Sequence, residues 1–295
     1  MEPQNKRNFI LLGHAQSGKT TLAESMLYFA KATTRKGSVA DGTTVSDYSF
    51  DEIERKSSIN SSLLFCDYKN HRIQIIDAPG YADFFGEIIS GLRAVDGAIL
   101  VVDAVSGVEV GTERAWQLLE ENGLPCLIFI NKTDKDGADV NKVIADIKAV
   151  LSKNAVVFNS LQAPDVVEAV AESDDLLLEK YLEGAKLTDE EVEKGFHVAV
   201  DNRKVFPIIS GSSLMDKGIG DLLDDIIKFL PSPLERPKVL GRDPANPDNL
   251  KEVGCSGDGH LSAFVFKNIS DPYVGSLPLC VYSRAHCTPI PILIM

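Results

Sequence analysis

The chain lacks any apolar run near the ~18 residues a helix needs to cross a bilayer, which excludes a helical span among these residues. Its five cysteines (Cys66, Cys126, Cys255, Cys280, Cys287) are odd in number and form no CxxC pair. That argues against a disulfide framework and for reduced structural thiols in a cytosolic protein. His71, His197, His260 and His286 show no metal-ligand spacing with one another or with the cysteines. The single tryptophan, Trp116, sits in a helical pattern and reads as packing. Basic charge is scarce: 30 Lys and Arg stand against 43 Asp and Glu, a net charge of −13. Gripping nucleic acid by bulk electrostatics is therefore excluded. The excess is concentrated: Asp165 to Lys194 holds 11 acids and three lysines, hence −8 of the −13. The opening stretch Met1–Arg7 runs straight into a strand pattern and contains no signal-peptide core, so a cytoplasmic location is expected.

What is present is 295 residues, 44 % hydrophobic and 25 % charged, enough for one large globular domain and a smaller piece. The apolar run Phe9–Leu12 precedes Gly13-His14-Ala15-Gln16-Ser17-Gly18-Lys19-Thr20, and a helical stripe of Leu22, Met26 and Leu27 follows. This is the strand, GxxxxGK[ST], helix order of a phosphate-binding loop. Its glycines let the backbone wrap an anion, with successive N–H groups and the helix N-terminus aimed at it. Lys19 then reaches β- and γ-phosphates, and the Thr20 hydroxyl faces a Mg²⁺ ion.

A polar stretch from about Lys31 to Asn60 follows, too long for an ordinary connection and so functional or disordered. Strands are predicted over Ser62–Cys66, Arg72–Ile76, Ala98–Val102, Cys126–Ile130 and Val205–Ile209. Helices are predicted over Phe84–Ala94, Glu113–Asn122 (ended by Gly123), Asp139–Leu151 and Ile219–Leu230. Thr188 and Glu191 form a capping box and Leu187 with Val192 a hydrophobic staple, starting another helix at about Asp189. Alternating strands and helices give an α/β fold with a parallel, doubly wound sheet, whose ligands sit beyond the C-terminal strand ends. Residues 1–232 form this domain, with a short acidic helical insert at about 153–204 that lacks clear strands. Residues 233–259, rich in Pro, Gly and Asp, read as a linker. Within 260–295 two strands are predicted, Leu261–Lys267 and Leu277–Tyr282, too few to close a barrel.

Three further elements share the phosphate loop's end of the sheet. Asp77-Ala78-Pro79-Gly80 ends a strand: Asp77 can orient a Mg²⁺-bound water and the Gly80 N–H can reach a γ-phosphate. Asn131-Lys132-Thr133-Asp134 follows a buried strand, and the Asp134 carboxylate can accept from guanine N1–H and its exocyclic amine together. Ser210-Gly211-Ser212-Ser213 ends another strand beside it.

These elements, in this order, resemble a translational GTPase, nearest to elongation factor G and above all its divergent second bacterial form. The resemblance extends to Val95–Ala104, Leu178–Gly184, Leu230–Pro233 and Phe266–Gly275, so it covers about Asn8 to Tyr282. It implies GTP and GDP as ligands with Mg²⁺ held by Thr20, Ser58 and Asp77, and hydrolysis served by Lys19, Gly80 and Tyr81. It also implies a monomeric cytoplasmic factor working in translocation on the ribosome, an acidic insert that meets the ribosomal stalk, and a barrel domain beginning near residue 260. By the same comparison the chain stops shortly after that barrel begins. Three departures accompany it. Tyr81 stands where the family has a catalytic histidine, and a phenol of pKa near ~10 cannot supply an imidazolium. It either donates a hydrogen bond to the attacking water or packs on the neighbouring helix. Ser58 stands for a Mg²⁺-ligating threonine, or is a solvated loop residue. Gln16 stands for an aspartate of the phosphate loop. His14 matches the motif, yet a lone histidine beside a loop is more often structural. The rival readings are a catalytically impaired GTP-binding paralogue and a P-loop kinase or ATPase, the latter opposed by Asn131–Asp134.

Overall fold

The computed structural model describes residues 1–243, 246–255, 262–271, 275–282 and 293–294. In chain order β1 (Lys6–Leu12), α1 (Lys19–Phe29), α2 (Phe50–Arg55), β2 (Ser62–Tyr68), β3 (His71–Asp77), α3 (Phe85–Leu92), β4 (Gly97–Asp103) and α4 (Val110–Glu121) come first. β5 (Cys126–Asn131), α5 (Val140–Val150), β6 (Ala155–Val157), α6 (Pro164–Ser173), α7 (Asp175–Leu182), α8 (Asp189–Asp201), β7 (Phe206–Ser210) and α9 (Ile219–Phe229) follow. Seven strands form one sheet in the order β2-β3-β1-β4-β5-β7-β6.

Successive side chains of a strand point to opposite faces, and here both faces are covered. Phe9, Leu11, Ile99, Val101, Leu127 and Phe129 lie in one buried cluster with residues of α1, α6, α8 and α9. Ile10, Leu12, Ala98, Leu100, Ile128 and Ile130 lie in a second with residues of α3, α4 and α5. Each such side chain contributes on the order of 1.5–3 kcal/mol by leaving water. Two-sided burial is why β4 and β5 are buried at every position and read as unbroken apolar runs. Trp116 packs edge-on against Phe206, 4.7 Å between centroids.

The capping box of α8 forms as predicted: the Glu191 amide donates to the Thr188 hydroxyl and the Glu191 carboxylate accepts from the Thr188 amide. Leu187 and Val192 are both buried beside it. The sheet is parallel except for β2, which runs antiparallel to β3. Between them stand only Lys69 and Asn70, both at positive φ (44° and 62°), the backbone of a two-residue hairpin that reverses direction at once. Within the polar stretch 31–60 a short helix, α2, forms on a Ser49/Glu52 capping box that the predicted elements left out.

Two expectations need correcting. The insert does contain a strand: β6 pairs in parallel with β7 and closes the sheet edge. Three residues are too few for a periodic signal. Its helices also do more than face water, since Val166, Val170, Val192 and Phe196 enter the core. The stretch expected to be a linker carries a hairpin of β8 (Val239–Asp243) and β9 (Asn246–Val253). Its polar sequence, with a register shift at Arg242/Asp243, offers no hydrophobic alternation to read. Beyond it β10 (Ser262–Asp271) and β11 (Gly275–Tyr282) pair antiparallel, and β12 (Leu293–Ile294) joins β10. Leu261, Pro272–Val274, His260 and most of 285–295 lie outside the described residues. Lys267 of β10 bonds Glu87 of α3 at 2.5 Å and the Ser61 carbonyl at 3.0 Å. Among the described residues no helix is long and apolar enough to cross a membrane.

Candidate nucleotide site

The strand order reverses between β1 and β4, so loops leaving neighbouring strands diverge there and open a crevice at their C-terminal ends. The loop after β1, residues 13–18, lies in it and passes directly into α1. Gly18 caps that helix at φ 97°, with no side chain taking its free amides. A Cβ on Gly18 would stand 2.4 Å from the Asn131 amide nitrogen, so this left-handed, crowded position accepts only glycine. The exposed helix-end amides make an anion seat. Lys19 is buried, its ammonium 3.1 Å from the Gly13 carbonyl and 2.9 Å from that of His14. Burial holds its pKa down to about 8, against the opposing pull of Asp77 and Asp47. A phosphate would restore the charge balance that burial withholds.

Asp77 ends β3, beside β1 in the sheet. Burial pushes its carboxyl up in pKa, with Lys19 opposing. Asp47, which sequence reasoning missed, is likewise buried and pushed up to about 6 by burial, Asp77's charge adding to the effect. Among the described residues neither carboxylate accepts a hydrogen bond of good geometry, although the Thr20 and Ser46 hydroxyls lie close enough to Asp77, and the Ser58 hydroxyl to Asp47, to oppose part of the upward shift. The Thr20 and Ser58 hydroxyls meet 3.1 Å apart in the same region. Orphaned buried carboxylate oxygens with two hydroxyls form a hard-oxygen set that suits Mg²⁺. Ala78 and Pro79 are buried and carry the chain to Gly80, which lies against the phosphate loop. A Cβ there would meet the Lys19 ammonium at 2.5 Å and Ala15 Cα at 2.7 Å. Tyr81 is 40 % exposed, and its hydroxyl lies 3.4 Å from Gln16 Nε2. Two of the three departures from the family pattern thus touch each other.

Asn131 is fully buried and spends its amide on two other loops: Nδ2 donates to the Ser17 carbonyl (3.0 Å) and Oδ1 accepts from the Ser213 amide (2.9 Å). Its role in this geometry is to join loops. Lys132, at φ 64°, donates to the Gln16 carbonyl (2.6 Å) and to Asp103 (2.5 Å). Burial pushes the Asp103 carboxyl up, yet Lys132 and the Val105 amide outweigh it and the net shift is downward. The Thr133 amide donates to the Gly211 carbonyl at 3.2 Å. Gly211 and Ser212 are buried while Ser210 is exposed, and the Met215 amide donates to Ser212 Oγ. Asp134 is exposed, and its carboxylate makes no hydrogen bond or ion pair among the described residues. His14 turns out to be a strut: Nδ1 accepts from the Gly111 amide (3.2 Å) and Nε2 lies 3.5 Å from Glu109 at the start of α4.

Residues 4–232 match the family described as the Elongation factor Tu GTP binding domain. The chain belongs to that family. This elongation-factor domain is 34 % identical to Elongation factor G 1 of Bdellovibrio bacteriovorus, an alignment spanning 94 % of the chain and 46 % of the relative. It also superposes on a crystal structure from Thermus thermophilus with a TM-score of 0.81 and 32 % identity, over 96 % of this chain and 46 % of the other. The chain therefore spans about half the length of both. The resemblance to elongation factor G drawn from the motifs holds for the family, the fold and the general capacity to bind guanine nucleotides.

Proposed function

We propose that this elongation-factor domain binds GTP and GDP with Mg²⁺ at the crevice described above and hydrolyses GTP in response to the ribosome. The observation that carries this is Asn131: one buried side chain ties the phosphate loop, the base-side segment and the Ser210–Ser213 loop together at one end of the sheet. Lys19 and the loop amides hold the β- and γ-phosphates, and the Gly80 amide meets the γ-phosphate. Thr20, Ser58 and Asp77 hold Mg²⁺, with Asp47 near enough to add charge. A bound ion would neutralise charge on the phosphates. In hydrolysis a water attacks the γ-phosphorus in line and the bond to the bridging oxygen breaks, yielding GDP and inorganic phosphate. Tyr81, neutral and supported by Gln16, positions that water by one hydrogen bond and supplies no cationic partner. A slow intrinsic rate follows.

Residues 1–232 form the nucleotide domain, and the strands after 260 begin a second, barrel-type domain. Ribosomal stalk contact through the acidic helices is supported by α7, where Leu176 and Leu182 stand three-quarters exposed among Asp175, Glu179 and Glu183. An impaired, nucleotide-holding role is the second reading, favoured by the phenol at position 81. Single-turnover phosphate release with ribosomes separates the two. Tyr81→His is expected to raise that rate about tenfold or more, up to the roughly 10²–10⁴-fold typical of a positioned acid–base group. An unchanged rate would remove Tyr81 from the chemistry. Thr20→Ala is expected to weaken GDP binding about tenfold in Mg²⁺, the size of one lost charge-assisted contact, and to change nothing in EDTA. Calorimetry under both conditions checks it, and equal losses would make Thr20 a packing residue.

A further inference from the structure

Outside the loops that would touch nucleotide, one side chain holds the base-side loop from behind. Lys36 stands just beyond α1, where the chain enters the stretch leading to Ser58. Its ammonium lies 2.5 Å from the Ser213 carbonyl, 2.9 Å from that of Leu214 and 2.5 Å from the Asp216 carboxylate. The side chain is only 18 % exposed, and its three donors have three acceptors. Ser25 of α1 donates to the same Ser213 carbonyl. The Ser213 peptide is thus clamped on both sides, its amide by Asn131 and its carbonyl by Lys36 and Ser25.

The residue after Lys36 is clamped as well. The Gly37 amide donates to one oxygen of Glu24 (2.9 Å) and the Val45 amide to the other (2.5 Å). Glu24 is wholly buried on α1. Two residues past Val45 comes Asp47, the carboxylate that feels the charge of Asp77. Residues 36–47 therefore form a strap. One end grips the loop that follows β7, the other enters the cluster of Asp47, Asp77, Thr20 and Ser58, and Glu24 ties the strap down near both ends, at Gly37 and Val45.

We propose that Lys36 is a positioning residue coupling this strap to the base-side loop 210–217, so that order on the phosphate side and order on the base side rise and fall together. The inference rests on the guanine-nucleotide reading of the site. It assigns Lys36 no contact with the nucleotide. Its effect passes through Ser213, whose amide orients Asn131, and through the strap to the metal-side carboxylates.

The test is release of a fluorescent N-methylanthraniloyl-GDP from the full chain, in Mg²⁺ and in EDTA, for wild type, Lys36→Met, Lys36→Arg and Asp216→Asn. Lys36→Met is expected to speed release in Mg²⁺ about tenfold or more, the range for losing charge-assisted bonds to a buried group. Lys36→Arg is expected to retain most of the wild-type lifetime, and Asp216→Asn to shorten it about threefold. A structural anchor alone would speed release by one factor in both media. Coupling instead makes Mg²⁺ removal less effective in Lys36→Met than in wild type. Equal factors in Mg²⁺ and EDTA, or an unchanged rate in Lys36→Met, would overturn the proposal. Should Lys36→Met not fold, Asp216→Asn and Lys36→Arg give the same comparison, and both matching wild type would overturn it too. A wild-type chain that binds GDP no better than ADP would refute the guanine reading first, and this inference with it.

Discussion

Asp134→Asn is expected to erase the preference of the chain for guanine over adenine nucleotides and to weaken GDP binding by a factor on the order of 100 or more. The carboxylate is exposed and without a partner among the described residues, so its acceptor capacity is uncommitted. Its surroundings are not free to adapt. Lys132 is tied to Gln16 and Asp103, and Thr133 to Gly211, which fixes where residue 134 projects. Guanine presents two donors on one edge, and a carboxylate meets both. An asparagine meets one and aims its own NH₂ at the other, leaving a donor facing a donor. Each unsatisfied group costs about 1–3 kcal/mol, and two of them amount to a factor of about 30 to 10⁴. Adenine has no such donor pair, so ADP binding should barely change. Calorimetry with GDP and ADP on wild type and variant measures this directly. Because residue 134 is exposed, the variant should unfold at the wild-type temperature. A preference that survives Asp134→Asn would end the guanine assignment.

The nucleotide-free chain should also lose stability as pH rises from 5 to 7, the reverse of the usual acid-side trend. Three carboxyls are responsible. Burial pushes Asp225 on α9 up to about 7, with Asp221 and Asp224 adding to it and Lys228 opposing. Burial pushes Asp96 up to about 6 against the hydrogen bond from Asn8, and Asp47 up to about 6. In each case the folded pKa lies above the unfolded value of 3.8. The folded state therefore binds more protons, and its stability falls through the interval between the two values. For Asp225 that interval runs from about pH 4 to 7. Its ceiling is about 4 kcal/mol at 1.36 kcal/mol per pKa unit, and relaxation around the charge should leave roughly half. Asp225→Asn removes the charge at nearly constant shape. It should raise the urea midpoint at both pH values, and about twice as much or more at pH 7.5 as at pH 5. Carboxyls with lowered pKa, Asp103, Glu87 and Glu191 among them, act in the opposite sense, but below about pH 4.5. Equal gains from Asp225→Asn at both pH values would show that its burial carries no charge penalty.

Residues 13–20 were legible because three adjacent signals, an apolar run, a glycine-bounded loop and an amphipathic stripe, name a strand, a turn and a helix in contact along the chain. The same holds for the α8 capping box and for the wholly buried runs of β4 and β5. Hydrophobic period and cap chemistry are local, so they survive in a bare string of residues. β6 was lost because three residues carry no period. The direction of β2 hung on two left-handed backbones at Lys69 and Asn70. The hairpin in 239–253 was hidden by loop-like composition.

The contacts that assemble the crevice were not legible at all. Glu24 sits between Leu22 and Met26 and looks like any polar residue of a surface helix, yet it is fully buried and pins two amides of the strap. Lys36 reads as a solvated cation, yet it closes on carbonyls 177 and 178 residues away. Asn131 reads as part of the guanine-side segment, and its buried amide ties Ser17 to Ser213. Composition and order of residues named the loops, their glycines and the carboxylate proposed to read guanine, since those demands are met within a few neighbouring positions. Which polar groups would be buried, and beside what, followed from bringing distant segments against one sheet end. Burial is a property of the packed chain, and it is burial that turns Lys36, Glu24, Asp47 and Asn131 from ordinary polar residues into the frame of the site.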